Sequence, residues 1–76
     1  MTRRQIETLI EDCASVRERI AKYGKECRDR AFDLSAGDAT QRQQAIKEME
    51  SSSTAYKAVE QIARVECDML ERIMKI

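Results

Sequence analysis

The chain has 76 residues, with 14 basic and 14 acidic side chains, no His and a formal net charge of zero. Hydrophobic residues make up 42%, charged residues 37% and aromatics 4%, while Pro is absent and Gly occurs twice. Such a chain is one domain at most, spanning 1–76, and it lacks the roughly 18 consecutive apolar residues of a membrane-spanning helix. Little turn chemistry is left for a multi-stranded sheet. The charged, amphipathic start after Met1-Thr2-Arg3-Arg4 is unlike a signal peptide. Balanced charge also removes the bulk attraction that drives non-specific nucleic-acid binding.

The first predicted element is a helix over about 3–34. Thr2, with Gln5 three positions later, reads as an N-terminal capping box. Ile6, Leu9, Cys13, Val16, Ile20, Tyr23 and Cys27 then step by three and four, the pattern of a helix packed against another helix. Gly24 weakens this helix by about 1 kcal/mol relative to Ala. Either another helix approaches closely at Gly24, or the first helix ends there.

Ser35-Ala36-Gly37-Asp38 is the strongest break, and it predicts the turn at 35–38. Gly37 fits a left-handed helix terminator, and Asp38 with Gln41 fits the cap that opens the next helix. A connection this short makes the two helices antiparallel.

The second helix is predicted over about 39–75. Ile46, Met49, Ser53 and Tyr56 continue a seam, which Ala63, Cys67, Leu70 and Met74 extend beyond Glu60. A neighbouring stripe contains Ala55, Val59, Ile62, Met69, Ile73 and Ile76. The expected intra-hairpin core is therefore Ile6, Leu9, Cys13, Val16, Ile20, Tyr23 and Cys27 against Met49, Ala63 and Leu70. A turn near 37 sets Tyr23 and Ile20 opposite Ser51-Ser52-Ser53-Thr54 and leaves Leu70, Ile73, Met74 and Ile76 overhanging. The fold class is all-α: an antiparallel, coiled-coil-like two-helix hairpin, completed by a partner or by dimerisation.

No residue pattern points to catalysis. There is no His, no Gly-rich phosphate loop, and no Ser or Cys with a base at a recognisable spacing. Cys13, Cys27 and Cys67 are too scattered for zinc and read as small apolar residues in a reducing cytoplasm. Neither a cofactor, a metal nor a small-molecule substrate is expected. A basic stretch, Arg17, Arg19, Lys22, Lys25, Arg28 and Arg30, is interleaved with Glu18, Glu26 and Asp29 and reads as a solvated face with i,i+4 pairs.

One seam is a small core for a chain with neither disulfide nor metal, so the hairpin is expected to bind a protein partner. The stripe Tyr56, Val59, Ile62, Met69, Ile73 and Ile76 is the predicted docking face, burying a partner's helix. The alternative is a homodimeric four-helix bundle, structural or regulatory, with an RNA-binding face as one variant.

The turn Gly37-Asp38-Ala39-Thr40-Gln41-Arg42-Gln43, followed by the apolar pattern Tyr56, Val59, Ile62 and Ala63, resembles the small co-chaperones of bacterial type III secretion, the YscE-like proteins. The resemblance implies a cytoplasmic helical hairpin that pairs with a repeat-type chaperone. Together they would hold the needle subunit soluble before export. The tail from Met69 to Ile76 is longer than that pattern requires.

Overall fold

The computed structural model describes residues 1–75, so the expected docking residue Ile76 lies outside the described residues. Two helices, α1 (Arg3–Ser35) and α2 (Ala39–Met74), pack lengthwise as an antiparallel hairpin. The result is a rod of 57 × 14 × 13 Å.

Both helix starts are fixed by short polar side chains. The Thr2 hydroxyl accepts from the Gln5 N–H at 3.2 Å, and Gln5 Oε1 accepts from the Thr2 N–H at 2.9 Å. Asp38 and Gln41 repeat the exchange at 2.9 and 3.0 Å. Each box satisfies donors that a helix N-terminus otherwise leaves open.

Gly37 has a different role from the one expected. No described glycine has a positive φ, so the chain turns without a left-handed residue. Instead, the Gly37 N–H donates to the Leu34 carbonyl at 3.1 Å. A Cβ on Gly37 would collide with the side chain of Gln41, which folds back to complete the Asp38 capping box. Glycine is needed there for clearance.

Helix α1 runs unbroken through Gly24. That residue is buried, and a Cβ built on it would stand 3.2 Å from Ala55 Cβ and 3.3 Å from the Tyr56 ring. The buried Ser52 hydroxyl donates to the Gly24 carbonyl at 2.8 Å. Small residues here, with Ala31 and Ala45 also buried, let the two backbones come close.

This close approach rotates both helices relative to the sequence expectation. The face of α1 turned toward α2 is Ile6, Ile10, Cys13, Arg17, Ile20, Gly24, Cys27, Ala31 and Leu34, each buried or half-buried. Leu9, Val16 and Tyr23, expected in the core, are instead exposed. Gly24, not Tyr23, takes the inward position, where Ser52 reaches its carbonyl and Ala55 and Tyr56 crowd the place of a side chain.

On α2 the inward face is Ala45, Glu48, Ser52, Ala55, Val59, Ile62, Glu66, Met69 and Ile73. Met49 and Leu70, expected inside, point outward, and Ala63 is half-buried beside them. Ile6 at 4% exposure and Met69 at 9% are both buried. Ile73 is half-buried, so of the expected overhang only Leu70 and Met74 stand open among the described residues.

Gly24→Leu should lower stability by about 1–3 kcal/mol through overpacking. Gly24→Ala should change it little, since gained helix propensity of about 1 kcal/mol offsets the tight contact. Urea unfolding followed by helicity measures both. A Gly24→Leu protein as stable as the parent would contradict the close crossing.

Candidate functional site: the outward stripe of α2

Helix α2 carries two heptad patterns side by side. The inner one faces α1. The outer one runs Ile46, Met49, Ser53, Tyr56, Glu60, Ala63, Cys67, Leu70 and Met74, in steps of three and four. All of these are exposed except the half-buried Ala63. Unbroken three-four spacing on an exposed face is the pattern of a helix that packs against a further helix.

At the turn end this stripe meets α1. Phe32 (63% exposed) and Ile46 (60% exposed) stand together over a shallow groove with Met49, Ala31, Ala45 and Ser53. Farther along, the Tyr56 ring lies over Gly24, which holds it against the hairpin with part of its face open. On the other flank Ile20 and Tyr23 adjoin Lys47, Ser51, Thr54 and Ala58, and Leu9, Val16 and Val65 are exposed as well.

The residues expected to dock a partner are therefore divided. Tyr56 lies on the outward stripe, whereas Met69 is buried and Val59, Ile62 and Ile73 belong to the half-buried inner stripe. Phe32, Ile46, Met49, Leu70 and Met74 are among the exposed apolar residues that the sequence reading did not place on a docking face. The sequence did carry a sign of it, since Ile46 through Met74 was legible as a seam but assigned to the wrong neighbour.

Two cross-helix ion pairs explain that assignment. Arg17 Nε donates to Glu66 Oε1 at 2.7 Å, with a longer contact from Nη2 to Oε2 at 3.4 Å. Arg30 Nη2 reaches Glu48 Oε2 at 3.2 Å. Glu48 and Glu66 are thus drawn toward α1, and α2 turns its inner stripe with them. The sequence reading put Arg30 on a solvated face with pairs along the same helix; the structure pairs it across the hairpin with Glu48. Arg17 and Arg30 of the basic stretch that an RNA-binding variant would use are thus each paired with an acid of α2.

Cys27 is fully buried, with Arg30 Nη2 3.3 Å from its sulfur. Its contact, followed by burial and the nearby Glu48, holds the Tyr23 phenol above its ordinary value. Cys13 is half-buried and Cys67 exposed, and all three thiols are free. Among the described residues no group of three His, Cys, Asp or Glu side chains is placed to hold a metal ion. No helix among them is long and apolar enough to cross a membrane.

No family model, curated protein or solved structure matches the chain.

The hydrogen bond from Arg30 holds the Glu48 carboxyl below its ordinary value. Lowered in the folded state, that group binds fewer protons than it does unfolded, so stability rises with pH through this range. Its contribution is complete above the ordinary carboxylate range and is lost as pH falls through the folded value. Glu48→Gln should flatten the acid limb of a stability-versus-pH curve. An unchanged acid limb would show that the Arg30–Glu48 pair contributes nothing.

Proposed function

We propose that this chain is a non-enzymatic helical adaptor, or co-chaperone, that buries the apolar face of an amphipathic helix on the outward stripe of α2. The observation carrying this reading is the second heptad pattern, Ile46 to Met74, exposed along one side of a rod only two helices thick. A helix laid there would gain contacts from Met49, Tyr56 and Leu70, with Phe32 and Ile46 closing the turn end. Helix-in-groove recognition uses anchors at this spacing. Met49 and Met74 lend the face a polarizable, unbranched lining that adapts to different partners.

The likeness to type III secretion co-chaperones specifies the reading further. The captured helix would then belong to a secretion subunit or to its repeat-type chaperone, in the cytoplasm, and covering it would keep the subunit from assembling early. Two capped helices joined by a short Gly-Asp turn support that version, and the docking residues move from the inner stripe to the outer one. Catalysis has no place in the reading, since the sequence offers no His, no Gly-rich phosphate loop, and no Ser or Cys with a base at a recognisable spacing.

Paired substitutions separate docking from folding. Leu70→Asp, on the outer stripe, should abolish recovery of a discrete partner from the native host while helicity is retained. Ile62→Asp, in the hairpin interior, should instead reduce helicity itself. Pull-down with tagged chain and far-UV dichroism of each variant give the two readouts. A partner still recovered with Leu70→Asp would remove the outer stripe as its docking face.

A further inference from the structure

The outer stripe of α2, read above as a docking surface, has dimensions and chemistry that point to its occupant in the free protein. The chain exposes 5925 Å², whereas a compact monomer of its mass exposes about 4,800 Å². The excess is on the order of 1,100 Å² and follows from the rod shape. The long side of the rod that carries the stripe, formed by both helices and 57 by 14 Å, projects to roughly 800 Å², an upper bound that matches what each partner contributes to an interface of standard size. Covering that side once would bring each copy close to the exposure of a compact monomer. With no net charge, the chain neither repels its own kind nor selects a strongly acidic or basic partner.

We propose that the free protein is an antiparallel homodimer in which the outer stripe of α2 packs against the same stripe of a second copy, with the two-fold axis beside Glu60. This inference rests on the stripe being an interaction surface and names what covers it when no other helix does.

Side-chain size sets the orientation. About an axis at residue 60, Met49 falls opposite Leu70 of the second copy, Ile46 opposite its Met74, and Tyr56 opposite its Ala63. Large then meets small at the centre, and medium apolar residues meet at both ends. A parallel arrangement would stack Tyr56 on Tyr56 and leave Ala63 facing Ala63 across a void. A two-fold interface of this kind uses one patch twice and closes on itself, without open-ended growth.

The charges near the axis give the dimer its own signature. Glu60 meets Glu60 of the second copy, with Lys57 and Arg64 of each chain on either side of the acidic pair. At the exposed rim, Glu50 lies near Glu71 of the other copy and Lys57 near its Arg64. Like charges at such positions repel weakly and are screened by salt. Self-association should therefore strengthen as salt is raised, the reverse of an interface held by ion pairs.

Sedimentation equilibrium of the full chain, over a wide concentration range and at low and high salt, tests the proposal. The expected result is a reversible dimer that is tighter at high salt. Glu60→Leu should tighten it at least about tenfold by replacing two like charges with apolar contact, and Leu70→Asp should make it monomeric with helicity retained. Oxidation with copper phenanthroline fixes the orientation. Ser53→Cys should cross-link to Cys67 of the second copy, whereas Cys67 in the parent stands about 20 Å from its counterpart and should not cross-link to it.

A single-chain mass throughout would overturn the dimer. So would a dimer indifferent to both Glu60→Leu and Leu70→Asp, or a Cys67–Cys67 cross-link in the parent. A monomer that still recovers its host partner through Leu70 would overturn only the dimer and leave the adaptor reading intact. A monomer that recovers none would remove both.

Discussion

The arrangement depends on one close approach, the hydrogen bond from the Ser52 hydroxyl to the Gly24 carbonyl at 2.8 Å. It spans the two helices on the turn side of their midpoints and requires that neither backbone be held away by a bulky side chain. Gly24 provides this on α1, and Ser52 with Ala55 provides it on α2. Once that contact forms, the rotation of each helix is settled. Residues seven apart from Gly24 and Ser52 must face inward, and their larger neighbours must face out. Tyr56 then rests on the glycine and links the inner seam to the outer one.

Electrostatics reinforces the same rotation. The inner stripe of α2 is less apolar than its rival, since it carries two acids, Glu48 and Glu66, where the outer one carries Glu60 alone. It is selected because those groups pair across the hairpin, Arg17 with Glu66 and Arg30 with Glu48, while the small residues between them close the gap. Partly buried pairs of this kind also specify alignment, since sliding one helix by a turn would leave both acids without their arginines. The more apolar stripe is consequently released to the outside. An exposed apolar heptad on α2 is a consequence of how the hairpin closes.

Much of the architecture was legible in the sequence. Two capping boxes, Thr2 with Gln5 and Asp38 with Gln41, marked where each helix begins, and the break around Gly37 marked the turn. Heptad spacing also showed that each helix packs against a neighbour. Which face it uses was harder to read. On α1, stepping from Ile6 by three reaches Leu9 and by four reaches Ile10, and both residues are apolar; the larger set through Val16 and Tyr23 looked like the better seam. The decisive residue was Gly24, and its meaning depends on Ser52, twenty-eight positions away. Glu48 and Glu66 concealed the inner stripe of α2 in the same way, because a lone acid in a heptad reads as solvent-facing until its arginine on the other helix is known. The outer stripe was visible as a seam, but its neighbour was not.

The most direct test of this two-sided arrangement is the labelling rate of the three native cysteines by a maleimide, at high dilution under native conditions. Cys27 lies in the inner seam, Cys13 at its edge and Cys67 on the outer stripe. The account predicts that Cys67 reacts first and Cys13 more slowly, with Cys27 modified only when the hairpin opens. Cys27 reacting as fast as Cys67 would mean that the helices meet through other faces, and the outer stripe would lose its claim to be a docking surface.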